Sequence, residues 1–465
     1  MSSSHARPLS TATLALVDAA QRPAYDRSQQ PRIVHLGLGA FARAHLGVYA
    51  DDLLRRGRPA MIRGVSIRSG RVAEQLSAQD GLYTVAEREP DAETSLRIIG
   101  AVASVETGPV RAIDAMAERA TKLVTLTITE KGYDSTPEDS GPSPAPASVP
   151  ALIARALARR RDSGLAPPIF VSLDNLLDNG RVLRSRVLDA AGRIDPTLAD
   201  WIADEVAFPS SVVDRMVPAP TGLDVEYAAS RLGLVDRAAV STEAHRSWII
   251  GVEDPLAPLA EVGVELVPDV SPYERRKLWL LNGPHSAVAY GGLLAGCDTI
   301  SGAVANKTVA PFVRRLVDET LEVAELPVSL GPVRFASEAL RRFANPALRH
   351  ACTQVGADGS SKLPQRLLPV VAARRRRALD THRFAVVAAI WIAATAGLRV
   401  RGADLPTLED PLAGDLRSAA SRGAPLLHLS ALAFAGHSDP AFVPEVAHAL
   451  RLLTDTGLSV LEVPN

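Results

Sequence analysis

Lysine, asparagine and histidine fall within nine residues in the stretch KLWLLNGPHS, at Lys277, Asn282 and His285. An amine that can lose its proton, a carboxamide and an imidazole are what is needed to take a proton from an alcohol and hold the alkoxide. On an ideal α-helix, at about 100° per residue, Asn282 and His285 lie about 140° and 80° around the axis from Lys277. The axial gap from Lys277 to His285 is about 12 Å, which a substrate and a long lysine stem can bridge. Pro284 lacks an N–H and clashes with the carbonyl four residues back, so the spacing predicts a kink or restart between Asn282 and His285. The same residues also suit a surface lysine, an Asn-Gly turn and a satisfied core histidine. The rest of the chain has to decide.

The elements that would position a partner for this stretch lie in the first half. Residues 32 to 38, RIVHLGL, are apolar and β-branched and end at glycine, as a buried parallel strand does. The chain continues GLGAFARAHLGVYADDLL, with Gly37, Gly39 and Ala42 at the three places of a G-x-G-x-x-G/A pattern and a helical period through Leu46, Tyr49, Leu53 and Leu54. Strand, glycine turn and helix in that order is the context of a dinucleotide site, where backbone approaches a pyrophosphate and a helix start offers free N–H groups. Gly37, Gly39, Ala40 and Phe41 are therefore candidate cofactor residues; a purely structural glycine turn is the alternative.

A second apolar strand, MIRGVSI, ends in Arg68 and Ser69 where an acidic ribose-binding residue is expected. Arg68 could pair with a 2′-phosphate, so NADP stays open beside NAD. Further strands are expected at 83–86, 96–101 and 122–129. Residues 134 to 150, rich in Pro, Ser and Gly, predict a surface loop. A helix then leads into PPIFVSLDN, which places Asn175 at the carboxyl edge of the sheet, either as a ligand-binding or a turn asparagine. FPSSVVDRMVP sets Asp214 beside Arg215 after an apolar run, and WIIGVEDP and VELVPDV predict two more strands.

From about residue 268 the apolar period becomes helical and strand signals nearly vanish. The expected fold class is α/β: a Rossmann-type N-terminal domain, residues 1–267, followed by a mostly α-helical C-terminal domain, residues 268–465. Lys277 falls on the first helix of the second domain, facing the sheet edge, and a cleft between domains is a usual place for a small molecule. The segment NPALRHACTQVGADGSSKLPQRL brings Arg349, His350, Lys362 and Arg366 around a Gly-Ser turn, as an anion site or a solvated face. The Arg374 to Arg377 run reads as exposed.

The 465 residues, 47% hydrophobic, suffice for two or three domains. Lys plus Arg (51) balances Asp plus Glu (52), so neither nucleic acid nor an anionic membrane is implied as partner. Two cysteines without metal-ligand spacing point to a reducing compartment. The start of the chain has only a short, interrupted apolar run, and no window offers about 18 uninterrupted apolar residues, so a cytoplasmic protein without signal peptide or membrane span is expected.

Six ordered segments, IVHLGLGAFARAH, VTLTITEKGY, SLDN, FPSSVVDRMVP, KLWLLNGPHS and DGSSKLPQRL, together resemble the mannitol dehydrogenase family, the long-chain polyol-specific dehydrogenases that include mannitol 2-dehydrogenase and fructuronate reductase. The resemblance spans nearly the whole chain. It implies a nicotinamide cofactor, no metal, and a polyol or sugar-acid substrate for a monomer or small homo-oligomer. It places the catalytic lysine at Lys277, the asparagine and histidine of a K-x4-N-x2-H signature at Asn282 and His285, a strand-end asparagine at Asn175 and a substrate-region aspartate at Asp214. The family's acidic cofactor position is not evident near Arg68, and a VIED-like segment reads WIIGVED, with Gly251 and Val252 inserted. DGSSKLPQR is closer to the fructuronate reductase branch, which makes Lys362 and Arg366 candidates for a uronate carboxylate.

The expected chemistry is hydride transfer at a secondary alcohol of D-mannonate/D-fructuronate, with NAD as cofactor. Burial and nearby positive charge would lower the pKa of Lys277 and suit it to proton transfer. D-Mannitol or arabinitol, a sugar phosphate, and a silent nucleotide-binding scaffold are the alternatives.

Overall fold

The computed structural model describes residues 7–67, 70–90, 92–128, 132–133, 148–436 and 440–462. The chain divides into two compact units, Met1–Val270 and Ser271–Asn465, three residues beyond the boundary read from the sequence.

The first unit is built on five parallel strands: β1 (Ile33–Leu36), β2 (Ile62–Ser66), β3 (Val102–Thr107), β4 (Leu123–Leu126) and β5 (Ile169–Ser172). Their order across the sheet is β3-β2-β1-β4-β5, the Rossmann arrangement. Side chains alternate between two buried faces. Val34 and Leu36 pack with Val124, Leu126 and the helices Pro109–Ala117 and Val149–Asp162. Ile33, Ile62 and Leu123 pack on the opposite face with Leu46, Tyr49 and Leu53 of the helix Leu46–Arg55. A strand buried on both faces reads as a continuous apolar run, which is why the sequence located β1, β2, β4 and β5.

β3 was not anticipated as a separate strand. The run expected at 96–101 ends at Ile99, where Ser95–Ile99 pairs antiparallel with Tyr83–Glu87, and the weakly apolar VASVET that follows forms β3. The expected loop also ends sooner: residues 134–147 lie outside the described residues, and Ser148 accepts the N–H of Ala151 to cap a helix that begins at Val149. The expected strands near 211, 247 and 265 form Ser211–Asp214, Ser247–Gly251 and Glu265–Val267, one small mixed sheet.

In the second unit the described residues contain helices and two isolated bridges. At its centre is His382–Ala396, nearly all of it buried, packed against Phe442–Thr456 and Ala413–Ser421. A helix apolar all round belongs in a core. Arg374 departs from the exposed run expected of it. It is buried, donates to the carbonyls of Asp380 and Glu319, and pairs with Glu322 at 2.7 Å. Two carbonyls and a carboxylate compensate a guanidinium that composition alone assigns to solvent.

Candidate active site

In an open α/β sheet, ligands bind outside the carboxyl ends of the strands where the strand order reverses, here between β1 and β4. Gly37 follows β1 with φ +90°, and a Cβ on it would stand 2.2 Å from the carbonyl oxygen of Thr127, just past β4. Both the left-handed backbone and the close approach require glycine. The hydroxyl of Thr127 donates to the Gly37 carbonyl at 2.6 Å. His35, fully buried in β1, braces the same turn: its Nε2 is 3.2 Å from the Gly37 carbonyl and 3.1 Å from Thr127 Oγ1, and its Nδ1 is 2.8 Å from Thr125 Oγ1. Burial pushes the His35 pKa down to about 4, so the ring is neutral at physiological pH. The sequence reading missed this residue; the available signal was a polar side chain in a strand otherwise apolar on both faces.

Gly39 is different. Among the described residues nothing comes closer to a Cβ there than the Gly37 carbonyl oxygen, at 3.8 Å. Internal packing does not demand glycine at that position, and the open side fits the pyrophosphate of a dinucleotide lying against the backbone. Ala40 and Phe41 begin a helix of only five residues, Ala40–Ala44. It breaks at His45, whose buried ring stacks on Phe41, touches Tyr49 and Trp248 edgewise, and places Nε2 3.1 Å from the Ser247 carbonyl. The helical period expected through Leu46, Tyr49, Leu53 and Leu54 lies on a second helix, Leu46–Arg55. Arg68 and Ser69 lie outside the described residues.

At the end of β5, Asp174 accepts hydrogen bonds from the Ile128 N–H at 2.8 Å and the Tyr133 hydroxyl at 2.6 Å, tying the ends of β4 and β5 together. Asn175 follows, exposed at the carboxyl edge. Asp214 closes its strand, buried, with His245 Nε2 3.4 Å from its carboxylate. Arg215 beside it turns inward to Glu87 and the Glu243 carbonyl, so the two neighbours do not act as a pair.

In the second unit, where a kink or restart is expected between Asn282 and His285, the α-helix restarts at Gly283 after a π-helical turn. The helix Ser271–Lys277 continues through a π-helical turn, Leu278–Asn282, into Gly283–Leu294. Asn282 and Gly283 keep helical dihedrals, and the Gly283 N–H reaches back five residues to the Leu278 carbonyl. A wide turn holds one residue more than an α-turn, so it accommodates a proline with no N–H without breaking the rod. It also corrects the azimuths expected on an ideal helix. With one residue absorbed, Lys277 to Asn282 counts as four α-steps and Lys277 to His285 as seven, so the side chains sit about 40° and about −20° from Lys277. The rise from Lys277 to His285 is about 10.5 Å, two turns. All three therefore share one face, and all three are buried.

Around His285 the structure gathers most of the basic residues named from the sequence. Its ring lies on Phe343 with centroids 4.6 Å apart and planes 11° apart, and meets His350 edgewise at 5.2 Å. Burial, then His350, Arg366, Arg342 and Lys362, hold its pKa well below the ordinary histidine value. His350 is pushed down to about 4 by burial and by Lys362. Arg366 donates to Ser286 Oγ at 3.0 Å, and its carbonyl would be 3.2 Å from a Cβ on Gly283. Lys362 donates to the Ala357 carbonyl at 2.6 Å. Arg342 and Phe343 were not foreseen, because they come from a helix some 60 residues away in sequence, Pro332–Phe343. Arg349 does not join the group: it is exposed, at φ +50°, its backbone N–H donates to the Pro346 carbonyl at 3.3 Å, and its side chain makes no hydrogen bond or ion pair among the described residues. Among those residues, no group of three or more His, Cys, Asp or Glu is placed to hold a metal ion, and no helix is long and apolar enough to cross a membrane.

A dinucleotide fold followed by a helical unit with a buried lysine, asparagine and histidine on one helix face is consistent with a dehydrogenase, an oxidoreductase acting on an alcohol. Comparison with known proteins agrees on the kind. Residues 31–259 match the mannitol dehydrogenase Rossmann domain and residues 269–454 the mannitol dehydrogenase C-terminal domain. The chain is 36% identical over 419 residues to the D-mannonate oxidoreductase of Escherichia coli (strain K12), covering 84% of this chain and 86% of that one. It is 33% identical over 470 residues to the mannitol 2-dehydrogenase of Phaeosphaeria nodorum, covering 94% and 81%. The structure of Pseudomonas fluorescens mannitol 2-dehydrogenase in ternary complex with NAD and D-mannitol superposes with a TM-score of 0.90 at 28% identity, over 98% of this chain and 99% of that one. The chain belongs to the mannitol dehydrogenase family.

Proposed function

We propose that this oxidoreductase interconverts the secondary alcohol and ketone of a six-carbon sugar acid, D-mannonate and D-fructuronate, with NAD as cofactor, in the cytoplasm as a monomer or small homo-oligomer. The observation that carries the choice of a sugar acid is the surround of His285 and His350: two imidazoles kept neutral by burial, with Arg366, Arg342 and Lys362 close enough to oppose protonation of His285, and Lys362 that of His350. Cationic side chains of that density suit a carboxylate. Similarity to a D-mannonate oxidoreductase supports the same reading.

Gly37, Gly39, Ala40, Phe41 and Arg68 would hold the dinucleotide, which supplies the hydride acceptor when bound. Lys277 takes the hydroxyl proton of the substrate in oxidation and returns it in reduction. Asn175 and Asn282 donate hydrogen bonds to the oxygen as charge develops on it. Asp214 and His285 orient neighbouring hydroxyls, and His350, Lys362 and Arg366 face the carboxylate end.

A neutral polyol, D-mannitol, is the second reading. It is favoured by the prior engagement of the two cations, Lys362 with the Ala357 carbonyl and Arg366 with Ser286, and by the mannitol 2-dehydrogenase relatives. Nicotinamide absorbance followed over D-mannonate, D-mannitol and their ketones, with both NAD(H) and NADP(H), decides. The sugar-acid reading expects a higher kcat/KM for D-mannonate than for D-mannitol, and loss of that preference in Lys362→Ala and Arg366→Ala. A preference for D-mannitol, unchanged in those variants, overturns it.

A further inference from the structure

A histidine that presents one ring nitrogen to a ligand is commonly oriented by a hydrogen bond to the other. His285 is not held that way. Its Nε2 is buried with no hydrogen-bond partner among the described residues. What fixes the ring is a plane: Phe343, itself 1% exposed, lies against it with the two rings nearly parallel. Offset stacking favours one relative orientation of two rings, whereas an aliphatic side chain of similar volume would leave the imidazole free to turn about its χ2 bond. His350 meets the same ring edgewise, and its Nδ1 is buried without a hydrogen-bond partner among the described residues.

We propose that Phe343 is a positioning residue for the reaction: it sets the plane of the His285 imidazole and so fixes the direction in which the ring meets a substrate hydroxyl. The inference rests on the reading of His285 as a residue that orients substrate. Phe343 touches no reacting atom in this scheme. It acts through His285, from a helix end that no motif in the sequence marks. Misplacement of a positioned group by about an ångström can cost on the order of 10²-fold in rate. Phe343→Leu, which keeps the burial and loses the plane, is therefore expected to lower kcat/KM by about ten- to a hundred-fold with NADH affinity unchanged. Phe343→Tyr, which keeps the ring, should stay near the wild type.

Two measurements on the full-length protein separate positioning from simple core packing. In a double-mutant cycle, Phe343→Leu should cost nothing further once His285→Ala is present; an equal loss in both backgrounds overturns the proposal. Long-range proton–nitrogen spectra of the ¹⁵N-labelled protein, with the His285 ring assigned by its disappearance in His285→Ala, should show one neutral tautomer in the wild type and in Phe343→Tyr. In Phe343→Leu the signal should be shifted or averaged, and an unchanged His285 signal there also overturns the proposal. Because the spectra need no turnover, they test the ring's orientation even if no sugar acid or polyol is a substrate.

Discussion

The turn after β1 and the helix that carries Lys277 are built from different materials. At the turn the important groups are backbone: the left-handed Gly37, its close approach to Thr127, and two side chains, His35 and Thr127, that bond the Gly37 carbonyl. On the helix they are side chains, and their common face exists only because one turn is wound wider than its neighbours. A site made of backbone is marked in sequence by glycine, since few other residues can take its place. A site made of side chains on a helix depends on phase, and a single extra residue in one turn moves everything after it by about 100°.

Three experiments can break or sharpen that contrast. The largest effect is expected on the helix. Lys277→Ala should lower turnover by at least the roughly 10² to 10⁴ typical of a general acid–base group while leaving NADH binding, followed by fluorescence, unchanged. Turnover like that of the wild type would remove the lysine from the mechanism.

At the turn the two glycines should part company. Gly37→Ala places a Cβ 2.2 Å from a carbonyl oxygen at a positive φ, so stability in urea should fall by about 1–3 kcal/mol and cofactor affinity with it. Gly39→Ala meets no atom of the described residues nearer than 3.8 Å. It should unfold like the wild type and still bind NADH more weakly. Equal cofactor affinity in Gly39→Ala and the wild type would show that the open side of that glycine is not used.

The last effect, on the pH dependence of stability, is shared by both regions. His35, His45 and His350 are held by burial at about 4, about 3 and about 4, below their ordinary value of 6.5. Between those values the unfolded chain binds more protons than the folded one, so stability rises with pH there. The contribution of each ring is fully present above 6.5 and is lost as pH falls towards 4, by up to roughly 1.4 kcal/mol per pH unit. Urea midpoints should be lower at about pH 5 than at about pH 7.5. His35→Phe, which cannot take the proton, should flatten that slope, and an unchanged slope would show that His35 does not carry it.

How much was legible follows from the same contrast. The Rossmann unit was readable because parallel strands buried on both faces are uninterrupted apolar runs and its ligand turn is punctuated by glycine. β3 was not, since its small residues alternate weakly with polar ones. In the helical unit Lys277, Asn282 and His285 could be named from their chemistry and spacing, and their resemblance to a known signature added weight. Their phase could not be obtained by counting on an ideal helix, because proline reads as a break while the fold absorbs it in a wide turn. Nor could Phe343 or Arg342 be found, since they reach His285 only through the packing of a distant helix. The burial of Arg374 was hidden for a related reason: its compensating carbonyls are set by tertiary structure, and a basic run carries no mark of them.

The wide turn also bears on transplanting this chemistry. On a straight α-helix Lys-x4-Asn-x2-His would scatter its three groups, with the asparagine more than a third of the way round the rod at about 140°. A designer copying the constellation onto an ideal helical scaffold must drop one intervening residue, to Lys-x3-Asn-x2-His, to recover the geometry that this chain reaches with the longer spacing.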